Sequence, residues 1–387
     1  MRAVNETVIP AYPVIANPAT ILASILSNTT HYTVVDLCSA FFSIPIAPEA
    51  QFLFAFTYKG RQYTWTVLPQ GYTESPTLFS RTLKDDLDDV VFPSGSTLIQ
   101  HVDDLLVCSA SKEACERDTL TLLGALARKG HKASRTKLQF YQEEVKYLGH
   151  ILKGDTRRIS LERISAILKL PKPTTAKQMR SFLGTTGYCR QWIPDYAALV
   201  RPLLEIGSAN APNPLTWTQE ADEAFVTLKQ ALSSAPALGI PNYEKPFHLY
   251  ANESRGFAQS VLAQKHGNKL QPVAYYSTKL DPVAQGFPSC LRAVAAASLT
   301  VQATEPLVAG HTLILMVPHA VTAVLLKKKN NTCRPRGQRQ FELSLTAPPN
   351  ITIKRCPPLN PASLLPVELD GDPHDCEEVI VHTSTAS

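Results

Sequence analysis

Asp103 and Asp104 are adjacent carboxylates set between two apolar segments, Leu98-Ile99 and Leu105-Leu106-Val107, and Asp36 ends a third apolar run, Thr33-Val34-Val35. Burying like charges together is costly unless a cation compensates them. Magnesium, a hard ion, takes carboxylate oxygens together with substrate phosphates, with manganese as an alternative. Two such ions can activate a hydroxyl and stabilise a leaving pyrophosphate. That chemistry needs the carboxylates to converge, and adjacent antiparallel strands would bring Asp36 and Asp103 together across 67 positions of chain. Taken alone, an Asp-Asp pair is more often an acidic hairpin turn.

The surrounding pattern predicts the elements that would hold these groups. Thr33–Leu37 reads as a buried strand. Residues 52–68 read as two strands joined at Lys59-Gly60, and residues 98–107 as a second hairpin with its carboxylates at the bend. Ser75-Pro76 starts a helix running to about Val90, and Ser111 caps another that Gly130 stops. Lys146–Leu152 reads as one strand. Helices are expected around 160–169, 175–189 and 219–233, with strands near 247–251, 260–263, 272–276 and 312–317 and a helix near 290–303. Mixed rather than alternating order indicates an α+β fold.

The 387 residues carry a net charge of only +5, but the charge is unevenly placed. Between Arg128 and Arg190 there are 15 cations against 4 anions. Such an excess suits a polyanion-binding surface or a solvated basic face. Eight cysteines form no C-x-x-C pair, so a zinc ribbon is not expected and reduced thiols in an intracellular protein are. No apolar run reaches membrane-span length and no secretory signal is visible, so no membrane partner is expected. Residues 327–339 read as an exposed basic loop and 366–387 as a disordered acidic tail.

Several motifs in order carry a resemblance: TVVDLCSAFF at 33–42, LPQGYTESPTLF at 68–79, HVDDLL at 101–106, KYLGH at 146–150, RSFLGTTGYCRQWIP at 180–194, APALGI at 235–240, PVAYYSTKLDP at 272–282 and LNPASLLP at 359–366. Over nearly the whole chain the sequence resembles reverse transcriptases of the gammaretrovirus type, murine leukaemia virus-like and of endogenous proviral origin. The resemblance implies a palm with a remnant of the fingers at 1–154, a helical thumb at 155–235, an RNase H-like connection at 236–365 and the tail beyond. It implies that Asp36, Asp103 and Asp104 are the catalytic, metal-binding carboxylates, Asp36 and Asp103 most directly. Leu37 would offer its carbonyl, Phe41 would exclude a ribose 2′-hydroxyl, and Gln70 would line the nucleotide pocket and template. Tyr147, Leu148 and Gly149 would form the primer grip. From residue type alone, a core aromatic is the favoured reading of Phe41, while Gln70 also reads as a polar turn residue and Tyr147-Leu148-Gly149 as a strand end. Trp192 and Tyr188 are expected in the core.

The implied partners are an RNA or DNA template with its primer and deoxynucleoside triphosphates, bound through phosphates and therefore salt-sensitive; the oligomeric state is left open. Three departures qualify this. The chain starts at a point matching the interior of the family's polymerase domain, so most of the fingers is expected to be missing. His101 stands where the family has tyrosine, which alters template contact. The RNase H domain is expected to be absent, and Asn252 replaces an aspartate in the connection, so no hydrolysis of hybrids is expected. Two readings follow: an RNA-directed DNA polymerase, and a catalytically impaired nucleic-acid-binding derivative of one.

Overall fold

The computed structural model describes residues 2–9, 18–318, 321, 322, 325 and 336–356. The chain divides into two compact units, 1–157 and 158–387.

The first unit begins with two short helices, α1 (Arg2–Thr7) and α2 (Pro18–Leu22). Its central sheet is built from β1 (His31–Asp36), β4 (Thr97–His101), β5 (Asp104–Ser109) and β6 (Gln139–Gln142), in the order β4-β5-β1-β6. Between β1 and β4 lie the hairpin β2 (Ala55–Tyr58) and β3 (Arg61–Thr64), and then α3 (Ser75–Leu87). Lys59 and Gly60 both have positive φ, the I′ geometry that suits the right-handed twist of a two-residue hairpin. Helix α4 (Lys112–Arg128) is capped by the Ser111 hydroxyl, which accepts from the Ala114 amide; such a cap contributes about 1 kcal/mol. Apolar positions at helical spacing in α3 and α4, Phe79, Leu83, Leu122 and Leu126, pack on Val35, Leu105 and Val107 of the sheet. The opposite strand faces are buried too, through Tyr32, Val34 and Leu106. Double-sided burial explains why β1 and β5 read as continuous apolar runs rather than alternating ones.

The predicted single strand at 146–152 is instead a hairpin, β7 (Glu144–Tyr147) and β8 (His150–Lys153). Leu148 and Gly149, at φ 48° and 75°, turn the chain between them. The expectation failed because Leu148 is an unusual residue for a left-handed turn position, and its apolar side chain disguises the break. Strand β9 (Thr156–Ile159) follows, at the junction of the two units in sequence.

The second unit opens with helices α5 (Leu161–Lys169), α6 (Ala176–Gly187), α7 (Tyr196–Ile206) and α8 (Gln219–Ser233). They surround a core containing Met179, Phe182, Trp192, Leu203 and Leu228. Thr175 and Gln178 form a capping box that starts α6. Helix α7 was not foreseen, because Pro202 lies inside it; the helix tolerates the missing amide because its apolar side is locked into the core by Val200 and Leu203. Beyond the short β10 (Leu238–Gly239) come β11 (Phe247–Ser254), β12 (Phe257–His266), β13 (Lys269–Lys279), the helices α9 (Pro282–Gln285) and α10 (Ser289–Val308), β14 (Leu313–Val317), α11 (Arg336–Thr346) and β15 (Ile351–Arg355). The five long strands form a mixed sheet in the order β13-β12-β11-β14-β15, with the β14 pairings parallel. The helices and this sheet share packing: Tyr275 joins the helical core, and the Ala197 amide donates to Ser277 Oγ at 2.8 Å.

Of the expected basic loop at 327–339, residues 327–335 lie outside the described residues, while Arg336 onward is helical rather than loop. The expected tail at 366–387 also lies outside them. Trp192 is buried, as expected, but Tyr188 is not a core residue: it is 40% exposed, with the Arg163 guanidinium 4.1 Å from its ring centre. Among the described residues, no helix is long and apolar enough to cross a membrane.

Candidate active site

The three aspartates meet at one end of the central sheet. Strand β1 runs antiparallel to β5 with Asp36 directly opposite Asp104. The Leu37 amide donates to the Asp103 carbonyl at 3.1 Å, which makes Asp36 and Asp104 a non-hydrogen-bonded pair, the closer of the two antiparallel pairings. Asp103 lies in the two-residue loop between β4 and β5, whose other member, Val102, has φ 55°. A β-branched residue at positive φ is strained by about 1–3 kcal/mol, tolerated here because both flanking strands are fixed in the sheet. His101 closes the hairpin opposite Asp104.

Crowding like charges has a measurable consequence. Burial first, then the Asp103 and Asp36 carboxylates, push the Asp104 carboxyl up from the usual 3.8 to about 6, while His101 and Lys137 oppose the shift. Below about pH 4 this group is protonated folded or unfolded; between about 4 and 6 only the folded chain keeps the proton, so stability falls as pH rises through that window. Asp104→Asn removes the penalty. In chelator, its melting temperature should match that of the parent near pH 4 and exceed it by several degrees at pH 8; an advantage independent of pH would refute the like-charge account.

Lys137, which the sequence reading did not single out, supplies the present counter-charge. Its ammonium donates to both Asp36 carboxylate oxygens, at 2.9 and 3.1 Å, and those bonds raise its pKa. Among the described residues no three acidic, histidine or cysteine side chains form a ready-made ion-binding cluster. The donor chemistry nevertheless suits a hard divalent ion, since three carboxylates share one strand end and one of them resists ionisation. An ion at Asp36 would have to displace the Lys137 ammonium. Lys137→Met should tighten Mn²⁺ binding about tenfold by titration calorimetry, and unchanged affinity would show that the ammonium does not compete.

The remaining expected site residues fall around this centre. Leu37 is buried and continues β1. Phe41 lies on a short 3₁₀ turn, Ala40–Ser43, half-buried and edge-on to Phe79 with ring centres 6.0 Å apart. Gln70 is exposed, in a loop shaped by Gly71 at φ 89°. Asn5 of α1 clips this loop, donating to the Gly71 carbonyl and accepting from the Thr73 amide. Tyr147 is fully buried and donates to the Asp104 carbonyl at 3.2 Å, so it braces the carboxylate strand from behind; Leu148 and Gly149 at the adjoining turn are half-buried.

Residues 2–152 match the family model described as reverse transcriptase (RNA-dependent DNA polymerase), and residues 217–315 match that of the RNase H-like domain found in reverse transcriptase. The chain is 41% identical to the Pol polyprotein of feline endogenous virus ECE1 over 99% of its own length, and 40% identical to the Gag-Pol polyprotein of baboon endogenous virus, also over 99%. The chain carries a reverse transcriptase domain of retroviral Pol type. It spans 37% and 22% of the length of those two polyproteins. Among solved structures, a foamy viral protease-reverse transcriptase in complex with double-stranded DNA superposes with a TM-score of 0.81 at 24% identity, covering 95% of this chain and 62% of that one. The expected α+β reverse-transcriptase fold with an RNase H-like domain is thus established for this chain.

Proposed function

We propose that this reverse transcriptase domain is an RNA-directed DNA polymerase that joins a deoxynucleotide to a primer 3′-hydroxyl on an RNA or DNA template. In this reading residues 1–154 are the palm with a remnant of the fingers, 155–235 the thumb and 236–365 the connection. The observation that carries it is the Asp36–Asp104 cross-strand pair with Asp103 at the adjoining turn, a cluster of carboxylates that a solvated acidic bend would not need. Asp36 and Asp103 would hold magnesium, with Asp104 completing the set; when bound, the metal supplies activation of the hydroxyl and charge stabilisation for the departing pyrophosphate. The chain's own residues do the positioning. Tyr147 fixes the Asp104 backbone, and the Leu148-Gly149 turn next to it offers backbone groups to the primer end. Phe41 sets the depth of the sugar pocket, and Gln70 with His101 flanks the templating base.

The basic stretch from Arg128 to Arg190 supports binding of a template–primer through phosphates without sequence readout. A second reading, a nucleic-acid-binding protein with impaired catalysis, draws on Lys137, whose ammonium occupies Asp36. Magnesium-dependent extension of a labelled primer on an RNA template separates the two. Extension that requires Asp103 excludes the second reading, and duplex binding without extension at any magnesium concentration excludes the first.

A further inference from the structure

Of the four helices that open the second unit, three start alike and one does not. Helices α5, α6 and α8 follow Ser160, Thr175 and Thr218, at φ −65°, −127° and −94° with extended backbone. Their hydroxyls accept from the Arg163, Gln178 and Ala221 amides, so each of these helices caps itself. Helix α7 follows Asp195, a residue type equally suited to capping, yet Asp195 sits at φ 56° and its side chain makes no cap. The cap comes from the sheet instead. The Ala197 amide, in the place that a capping side chain serves, donates to Ser277 Oγ of β13 at 2.8 Å.

The carboxyl of Asp195 is turned to the same sheet. Its Oδ1 is buried with no hydrogen-bond partner. Burial pushes the group's pKa up, against the Gln259 amide of β12 and the Arg255 guanidinium at the β11–β12 turn, which favour its charged form. Gln259 is the cross-strand partner of Ser277, so β12 and β13 face Asp195 with neutral side chains, and the charge acting on it among the described residues is that of Arg255. A non-glycine residue at positive φ is held there by its surroundings rather than by preference. A half-buried carboxylate short of partners gains by reaching water and the first amides of α7, where the helix dipole favours negative charge.

A swing of Asp195 into the extended backbone seen at Ser160, Thr175 and Thr218 would meet both needs, and it would free the Ala197 amide from Ser277. Packing of the helices on the sheet opposes it: Tyr275, two residues from Ser277 on the same strand face, is set in the helical core. We propose that Asp195 and Ser277 are alternative caps of α7 and form a latch. With Ser277 as the cap the helices are locked on the sheet; with Asp195 as the cap they are released. These helices carry Arg163, Lys169, Lys177 and Arg180 of the basic stretch, so the latch sets how rigidly that surface is held. It is independent of the polymerase reading.

The test is hydrogen–deuterium exchange of the full chain without nucleic acid, read by mass spectrometry over α7 and the end of β13, with α8 as the reference. Ser277→Ala should speed exchange in α7 and β13 about fivefold with α8 unchanged, and Ser277→Thr, which keeps the hydroxyl, should behave as the parent. Asp195→Gly suits the present backbone and cannot cap, so it should slow exchange in the same two segments. The two truncations therefore act in opposite directions. A side chain at 195 that only fastened α7 to the sheet would give faster exchange on its removal, and that result would overturn the latch. Where Ser277→Ala quickens all three segments together through general loss of the fold, Asp195→Gly decides: slower exchange supports the latch, and unchanged or faster exchange overturns it.

Discussion

Asp103→Asn and, separately, Asp36→Asn should each lower magnesium-dependent primer extension by about a thousandfold or more, with duplex affinity and melting behaviour near those of the parent. The substitution keeps the side-chain volume and removes one negative charge from a site whose proposed work is electrostatic. Removing a single neutral donor from a charge-stabilising site already costs about 10²–10³ in rate, and a metal-holding carboxylate contributes more than a neutral donor. The two positions should differ in what happens to Lys137. With Asp36→Asn its ammonium loses the carboxylate it now grips at 2.9 and 3.1 Å, whereas with Asp103→Asn that pair survives. Mn²⁺ titration of the two variants therefore reports on the metal site independently of turnover. Extension that survives either change within tenfold would remove these residues from the chemistry.

Much of this site was legible in the sequence because its parts announce themselves locally. An apolar run ending in Asp36, and two apolar runs flanking Asp103-Asp104, can only be buried strands interrupted by charge, and the antiparallel pairing of β1 with β5 follows from their shared core. What stayed hidden depends on register and on distant contacts. Whether Asp103 or Asp104 faces Asp36 is a one-residue question, and a one-residue slip reverses every side chain. Lys137 reaches Asp36 across 101 positions and looks like any other member of a basic stretch. Tyr147 reads as part of the primer grip or as a strand end, and nothing in spacing signals that its phenol is buried against the Asp104 backbone. Helix α7 and the β7–β8 turn were missed for a related reason: Pro202 and Leu148 contradict local preference, and tertiary packing overrules them.

Phe41→Val should raise use of ribonucleotides relative to deoxynucleotides by about a hundredfold, with little loss of deoxynucleotide incorporation. Phe41 follows Asp36 by five residues on the 3₁₀ turn Ala40–Ser43, so the chain that carries the Asp36 carboxylate also sets where this ring stands. The ring is held on one edge by Phe79, at 6.0 Å and 75°, and also packs against the apolar cluster of Ile46, Phe54 and Leu68. A ring fixed in this way cannot step aside for an added hydroxyl, and overlap of a few tenths of an ångström in a close-packed pocket is costly. Valine opens that space while keeping an apolar wall, so the parent's discrimination should fall and the deoxynucleotide should still seat. The direction separates a steric wall from a hydrogen-bonding one. A site that read the 2′ position by hydrogen bonds would lose deoxynucleotide binding when altered, whereas a wall simply becomes permissive. Single-nucleotide incorporation with matched ribo- and deoxynucleotides measures the ratio directly. A ratio unchanged by Phe41→Val would make this ring a core aromatic with no part in sugar selection, the reading that residue type alone allowed.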